Sequence, residues 1–250
     1  MWGVIPAAGR GSRIIEHHVN GCKELIEING RTMIHRTIDE LRAAEVEGIV
    51  VVTSPKKPAI KQRLEESGDL QRGDIHLVEQ EKPQGLVNAI KQAIPISGEE
   101  MLVATPDNLY LGHPCPAAEL IKVHHSSNRC VIGVVPVVSP WGEMLSDTGR
   151  VDSLTRSKNA GHSLVSGILE KRKNVSFPLT SPPRWRCTGR MLVTSEFWWQ
   201  SGNDDVEMLG SLASSGRLLA AEIDADYIDV GLPEGLLYAR ENYDVSGGRL

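Results

Sequence analysis

Cysteine is scarce in this 250-residue sequence: Cys22, Cys115, Cys130 and Cys187 stand far apart, with no CxxC pair and no zinc-type spacing. That excludes a disulfide framework and points to free thiols in a reducing cytoplasm. Basic charge is not in surplus either. Lys and Arg number 27 against 32 Asp and Glu, a formal net charge of −5, and no stretch is basic enough to track nucleic acid. No apolar run approaches the roughly 20 residues of a membrane span. The first residues, Met1 to Pro6, carry no basic side chain, so a signal peptide is not expected and a cytoplasmic location is. Two nucleotide-binding motifs are also missing. No Gly-Lys dipeptide occurs, which excludes a P-loop, and the spacing after Gly9 and Gly11 puts Ile14 where a dinucleotide fingerprint needs its third glycine. There are no internal repeats and no low-complexity tracts.

What is present is an ordinary globular composition, 40% hydrophobic and 24% charged, in a chain long enough for a large core. The 24 glycines and 14 prolines suit a loop-rich, site-bearing enzyme. Trp2–Ala8, Gly48–Thr53, Ile75–Glu79, Met101–Ala104 and Cys130–Val138 read as strands, and Thr32–Ala44, Pro58–Ser67, Leu86–Ile94 and Pro116–His125 as helices. This alternation predicts an α/β fold with a mostly parallel, Rossmann-like central sheet flanked by helices. After about Pro140 the segments shorten. Gly149–Leu154, Ser163–Lys171 and Arg186–Thr194 predict a small antiparallel excursion beside the sheet, and the helices Asp204–Ser214 and Pro233–Tyr243 close the chain around a strand at Tyr227–Val230.

In such a sheet ligands bind beyond the carboxyl ends of the strands. The residues to weigh are therefore Gly9 to Arg13, Gln80 to Gly85, Asp107-Asn108 and Asp229. Gly9 and Gly11 let backbone N–H groups approach an anion, and Arg10 and Arg13 add charge. Each residue has an ordinary alternative: a tight turn with exposed arginines, a solvated Lys23, a turn or capping role for Asp107 and Asp229, a surface glutamine at Gln80. His17-His18 and His124-His125 diverge as neighbours do, lack a third ligand, and read as exposed pairs. Phe197 to Trp199 read as cover for a sheet edge or as an interface.

Taken in order, these segments form a pattern. Ala7-Ala8-Gly9-Arg10-Gly11-Ser12-Arg13 is followed ten residues on by Lys23-Glu24-Leu25, then by Gln80-Glu81-Lys82-Pro83-Gln84-Gly85-Leu86. Pro106-Asp107-Asn108, Glu170-Lys171, Cys187-Thr188-Gly189-Arg190 and Asp229-Val230-Gly231-Leu232-Pro233-Glu234-Gly235 complete it. The series resembles the sugar-1-phosphate nucleotidylyltransferases, among them the glucose-1-phosphate uridylyl- and thymidylyltransferases, over nearly the whole chain. Departures are Pro106 for a glycine, Arg172 for a proline, Leu232 for a threonine and Cys22 for a common proline.

The resemblance implies a single nucleotidyltransferase domain over 1–250 with a glycosyltransferase-A-like fold, residues 1–138 taking the nucleotide and 139–250, with the antiparallel excursion, the sugar phosphate. It implies transfer of a nucleotidyl group from UTP or dTTP to a sugar 1-phosphate, with glucose 1-phosphate the first expectation. Arg13 and Lys23 are then catalytic; Ala8, Gly9, Gly11, Ser12, Gln80 and Gly85 bind the nucleotide. Gly142, Glu170, Lys171 and Gly189 hold the sugar phosphate, and Asp107 and Asp229 hold Mg²⁺. A glutamine amide at Gln80 both donates and accepts, which matches the imide edge of uracil or thymine. Family members are often oligomeric, which makes a homo-oligomer an expectation, while charge and the lack of a long apolar run give no nucleic-acid or membrane partner. Arg172 and Leu232 keep open a cytidylyl- or guanylyltransferase for another phosphate acceptor; the other alternative is a non-catalytic nucleotide-sugar-binding protein on the same fold, against which the retained Arg13, Lys23, Asp107, Lys171 and Asp229 speak.

Overall fold

A computed structural model describes residues 1–82, 84–113, 115–136, 150–156, 162–169, 185–202 and 204–242. The chain opens with β1 (Trp2–Pro6), a small hairpin of β2 (Glu27–Ile28) and β3 (Arg31–Thr32), α1 (Met33–Ala43), β4 (Ile49–Thr53), α2 (Pro58–Glu66) and β5 (Ile75–Glu79). Then follow α3 (Leu86–Lys91), α4 (Ile94–Ser97), β6 (Met101–Ala104), β7 (Asn108–Leu111), α5 (Pro116–Ser127) and β8 (Cys130–Pro136). The later elements are β9 (Arg150–Arg156), β10 (Ser163–Leu169), β11 (Trp185–Val193), α6 (Ser195–Trp198), α7 (Asp205–Ser214), β12 (Leu218–Glu222), β13 (Asp226–Asp229) and α8 (Pro233–Asn242).

Among the described residues, nine strands form one sheet in the order β5-β4-β1-β6-β11-β8-β12-β10-β9. The fold is the expected α/β one: most strands point the same way, and only β10 and β11 run against them. The antiparallel part differs in place, however. Only β9 and β10 lie at an edge, whereas β11 is inserted between β6 and β8 in the middle of the sheet. A strand whose pattern reads as peripheral is here buried on both sides by partners that lie far away in sequence, and local patterning carries no record of partners. The strand β12 was also not anticipated: Leu218-Leu219-Ala220-Ala221 has little β-branched character, and it is a strand because it pairs in parallel with β8.

Strand residues alternate between two cores. Ile49 and Val51 of β4 face α1, α2 and α5, whose Ile34, Ile38, Leu41, Ile60, Leu64 and Leu120 fill that side. Val50 and Val52 face the other side, with Val87 and Ile90 of α3, Phe197 of α6 and Leu209 and Leu212 of α7. Burial on both faces explains the uninterrupted apolar run of β4. The helix expected over Leu86–Ile94 is two, α3 and α4, because Pro95 enters the first turn of α4, where a missing N–H costs nothing. His124 is buried, not exposed, and its Nδ1 lies 2.9 Å from the Arg129 carbonyl at the end of α5. Phe197 is core, the Trp198 indole donates to the Glu99 carbonyl at 2.8 Å, and Trp199 stays exposed.

A third apolar cluster joins Ile14, Ile26, Ile28 and Met33 to Leu109, Leu111, Ile228, Val230 and Leu236. It seats the two-stranded sheet of β7 and β13 over the carboxyl ends of the central strands. No helix among the described residues is long and apolar enough to cross a membrane.

Candidate active site

The chain leaves β1 at Pro6 and turns into the glycine loop. Gly11 has φ 61° and ψ 33°, the left-handed region that glycine enters without strain, and it starts a 3-10 turn over Ser12–His17. A Cβ at Gly11 would meet His18 Nε2 at 2.8 Å and Lys23 Cδ at 3.0 Å, so the loop lies directly over the lysine. The loop and the lysine segment are stapled from below. The buried Lys57 Nζ donates to both oxygens of the buried Glu24, at 2.9 and 2.8 Å, and to the Ala7 carbonyl at 2.9 Å.

Asp107 enters from the end of β6, and its carbonyl accepts from the Val230 amide at 2.9 Å. The antiparallel register of β7 and β13 pairs Asn108 with Asp229, which brings the second carboxylate beside the first. Their meeting point is Gly231. A Cβ there would lie 2.9 Å from Asp229 Oδ1 and 3.3 Å from Asp107 Oδ2. Lys23 Nζ donates to Asp107 Oδ2, and Asn108 Nδ2 donates to Asp107 Oδ1 at 2.7 Å. Asp229 Oδ2 accepts from Arg186 Nη2 at 2.9 Å, and Asp229 Oδ1 from the Gly231 amide at 2.9 Å.

The charges explain one another. Burial works against the Asp107 carboxylate, but the Lys23 ammonium outweighs it and holds Asp107 below the usual carboxylate range. Burial, reinforced by the like charge of Asp107, pushes Asp229 up in spite of Arg186 and Lys23. For Lys23 burial opposes the charge, and Asp107 and Glu24 overcome that and raise it, so the amine stays protonated.

Lys23, Asp107 and Asp229 line one cavity of about 400 Å³. One end is polar: Gly11, Ser12, Arg13, Lys23, Asp107 and Asp229, with Gly189 beside them. The other is walled by Ile132, Ile168, Met191 and Leu209. Seven of the residues singled out from the sequence are thus brought together. Ala8 and Gly9 precede the lining, Ala8 buried and Gly9 exposed. Gln80 and Gly85 do not line this cavity. Gln80 is buried and its amide donates to Asn88 Oδ1 at 2.7 Å, while Gly85 leads into α3, whose Leu86 reaches the wall. Gly142, Glu170 and Lys171 lie outside the described residues.

Sequence reasoning missed Arg186, Tyr227 and Thr105. Arg186, Thr188 and Arg190 alternate along β11, and all three are buried. That period-two row of polar residues in a strand was the available signal. Tyr227, two residues before Asp229 on β13, donates its hydroxyl to Asn108 Oδ1. Thr105 Oγ1 accepts from Asn108 Nδ2 and donates to the Gly189 carbonyl at 3.3 Å.

Two carboxylates that converge on a residue without a Cβ fit a hard divalent cation, which takes oxygen ligands. No cluster of three or more His, Cys, Asp or Glu suited to a metal occurs among the described residues. The arrangement can receive a polyphosphate between cationic groups, with a cation at the carboxylate pair.

Known proteins share this framework. The family model for the MobA-like NTP transferase domain matches residues 3–145. The UTP--glucose-1-phosphate uridylyltransferase of Bacillus subtilis (strain 168) is 24% identical over 264 residues, covering 94% of this chain and 87% of that protein. One from Staphylococcus epidermidis is 23% identical over 271 residues, covering 96% and 91%. Among solved structures, a UDP-glucose pyrophosphorylase complexed with UDP-glucose superposes with a TM-score of 0.77 at 20% identity, covering 96% of this chain and 97% of that one. A UTP-bound UGPase from Acinetobacter baumannii gives 0.76 at 22% identity, covering 96% and 92%.

Proposed function

The chain belongs to the MobA-like NTP transferase domain family and is a nucleotidyltransferase, and from that premise we propose that it transfers a uridylyl group from UTP to the phosphate of glucose 1-phosphate. The observation that carries this reading is the convergence of the glycine loop, Lys23 and the Asp107–Asp229 pair in one cavity. The relatives named for this reaction, which align along most of the chain, support the choice of UTP and glucose 1-phosphate.

A phosphate oxygen of the acceptor forms a bond to the α-phosphorus while the bond from that phosphorus to the bridging oxygen breaks, and pyrophosphate leaves with the electron pair. A phosphate monoester has a second pKa near ~6, so the nucleophile is already largely dianionic at neutral pH and no general base is needed. The barrier lies in crowding negative charge and holding it in line. Backbone N–H groups of the loop at Gly11 and Ser12, with Arg13, receive the triphosphate and then the pyrophosphate. Lys23, kept charged by Asp107 and Glu24, neutralises charge that builds at the α-phosphorus. Asp107 and Asp229 would hold Mg²⁺, which when bound would supply positive charge to neutralise the phosphates. Gln80, anchored by Asn88, and Gly85 are the proposed contacts of the base, and Gly189, Gly142, Glu170 and Lys171 those of the sugar phosphate.

The test is pyrophosphate release with Mg²⁺ across UTP, dTTP, CTP, GTP and ATP, each with a panel of sugar 1-phosphates. Fastest turnover with UTP and glucose 1-phosphate is expected. Fastest turnover with dTTP would change the donor, and turnover only with CTP, GTP or another acceptor would replace the proposed reaction by a different nucleotidyl transfer.

A further inference from the structure

Two buried arginines on β11 invite comparison. Arg190 is fully satisfied: Nε and Nη2 donate to the two oxygens of Glu40 at 2.9 and 2.7 Å, and Nη1 to the Thr105 carbonyl at 2.8 Å. Such a guanidinium is part of the framework. Arg186 is equally buried, at 1% exposure, but among the described residues its side chain makes one hydrogen bond, from Nη2 to Asp229 Oδ2. Its Nε and Nη1 are buried without a partner among the described residues. A buried cation so poorly paired costs stability, and an apolar side chain of similar volume would serve the core better. Its polar purpose is therefore Asp229.

The guanidinium also lies over an aromatic ring. Its carbon lies 4.4 Å from the centre of the Tyr227 ring, and the Tyr227 hydroxyl donates to Asn108 Oδ1, whose amide donates to Asp107 Oδ1. One face of Tyr227 thus orients Arg186, and its hydroxyl orients the residue that orients Asp107. The two carboxylates are joined by a continuous chain of contacts, Arg186 to Tyr227 to Asn108, independent of the backbone pairing of β7 and β13.

We propose that Arg186 is a positioning residue that fixes the Asp229 carboxylate for a divalent cation carried with the nucleotide. The proposal rests on the nucleotidyl-transfer reading of the cavity. It is separate from that reading in what it assigns: the orientation of one metal-facing carboxylate, on the small two-stranded sheet, to the Arg186 guanidinium of β11 in the central sheet, not to the glycine loop or to Lys23.

The experiment compares calorimetric binding of Mn²⁺–UTP with that of metal-free UTP in EDTA, on the full chain and without acceptor. The wild type is expected to bind Mn²⁺–UTP more tightly. Arg186→Met is expected to lose about 10- to 100-fold in Mn²⁺–UTP affinity, the range typical of removing a residue that orients a metal ligand, with metal-free UTP unchanged. Arg186→Lys keeps the charge but not the planar stack, and should fall between the two. Tyr227→Phe keeps the ring and removes the hydroxyl, and should weaken Mn²⁺–UTP less than Arg186→Met does. If Arg186→Met does not fold, Arg186→Lys must still weaken Mn²⁺–UTP selectively. Three results would overturn the assignment: variants that bind Mn²⁺–UTP as the wild type does, variants that bind it more tightly, or an equal loss of metal-free UTP. A wild type with no preference for Mn²⁺–UTP would instead contradict the cation-dependent reading of the cavity itself.

Discussion

At Gly189 the backbone has φ +67°, and its carbonyl accepts from the Thr105 amide at 2.9 Å. A Cβ there would stand 2.2 Å from Thr105 Oγ1 and 2.8 Å from Asn108 Nδ2. Gly189→Ala therefore combines left-handed strain with a collision inside the network that orients Asp107. We expect a loss of about 2–4 kcal/mol in stability, from strain of 1–3 kcal/mol plus overpacking, visible as a lower midpoint in urea. Because Asn108 must move, turnover should fall as well, even at temperatures where the variant is folded. Unchanged stability and turnover would show that this crossing of β11 and the Thr105 loop is looser than its geometry implies.

Among elements, α1, α5 and β11 meet at Glu40, which takes both forks of Arg190 and also accepts from the Ala117 amide at 3.0 Å. Removing one partner leaves the other charge buried. Arg190→Met should cost about 3–5 kcal/mol, and Glu40→Met added to it should restore part of that loss. Equal or greater destabilisation in the double variant would contradict the pairing. A second clamp shows in its pH dependence. Arg42 of α1 donates to Asp74 at 2.8 and 3.0 Å and to Asp69 at 2.6 Å. Arg42 holds the Asp74 carboxyl below its usual range; for Asp69 burial pushes upward, and Ser67 and Arg42 more than offset it. A depressed carboxyl contributes stability above its unfolded pKa of about 4 and loses it as pH falls through the lower folded value. The difference in Tm between the wild type and Arg42→Met should accordingly be full at neutral pH and shrink below about pH 4. A constant difference down to strongly acid solution would show that the clamp works by packing alone. At this scale the sequence was legible wherever periodicity or punctuation is local. The helix over Met33–Ala43 and the strand Ile49–Thr53 could be read directly, as could the glycine loop and both carboxylates. The central place of β11, the strand at Leu218–Glu222 and the partners of Arg186 depend on pairings across more than forty residues, which no local pattern records.

The whole molecule places the candidate site where the parallel strands end and a small two-stranded sheet closes over them. The sheet supplies Asp107 and the glycine loop, the small sheet supplies Asp229, and the cavity between them ends on an apolar wall from β8, β10, β11 and α7. Since these parts come from widely separated segments, the site exists only in the assembled fold. The most direct test is turnover of UTP and glucose 1-phosphate by the wild type and by Lys23→Ala, with UTP affinity measured alongside. Removal of a charge aimed at the developing transition state should lower kcat by on the order of 10²–10³ and change UTP affinity far less. A Lys23→Ala enzyme that turns over at the wild-type rate would contradict the assignment of this cavity as the site of nucleotidyl transfer.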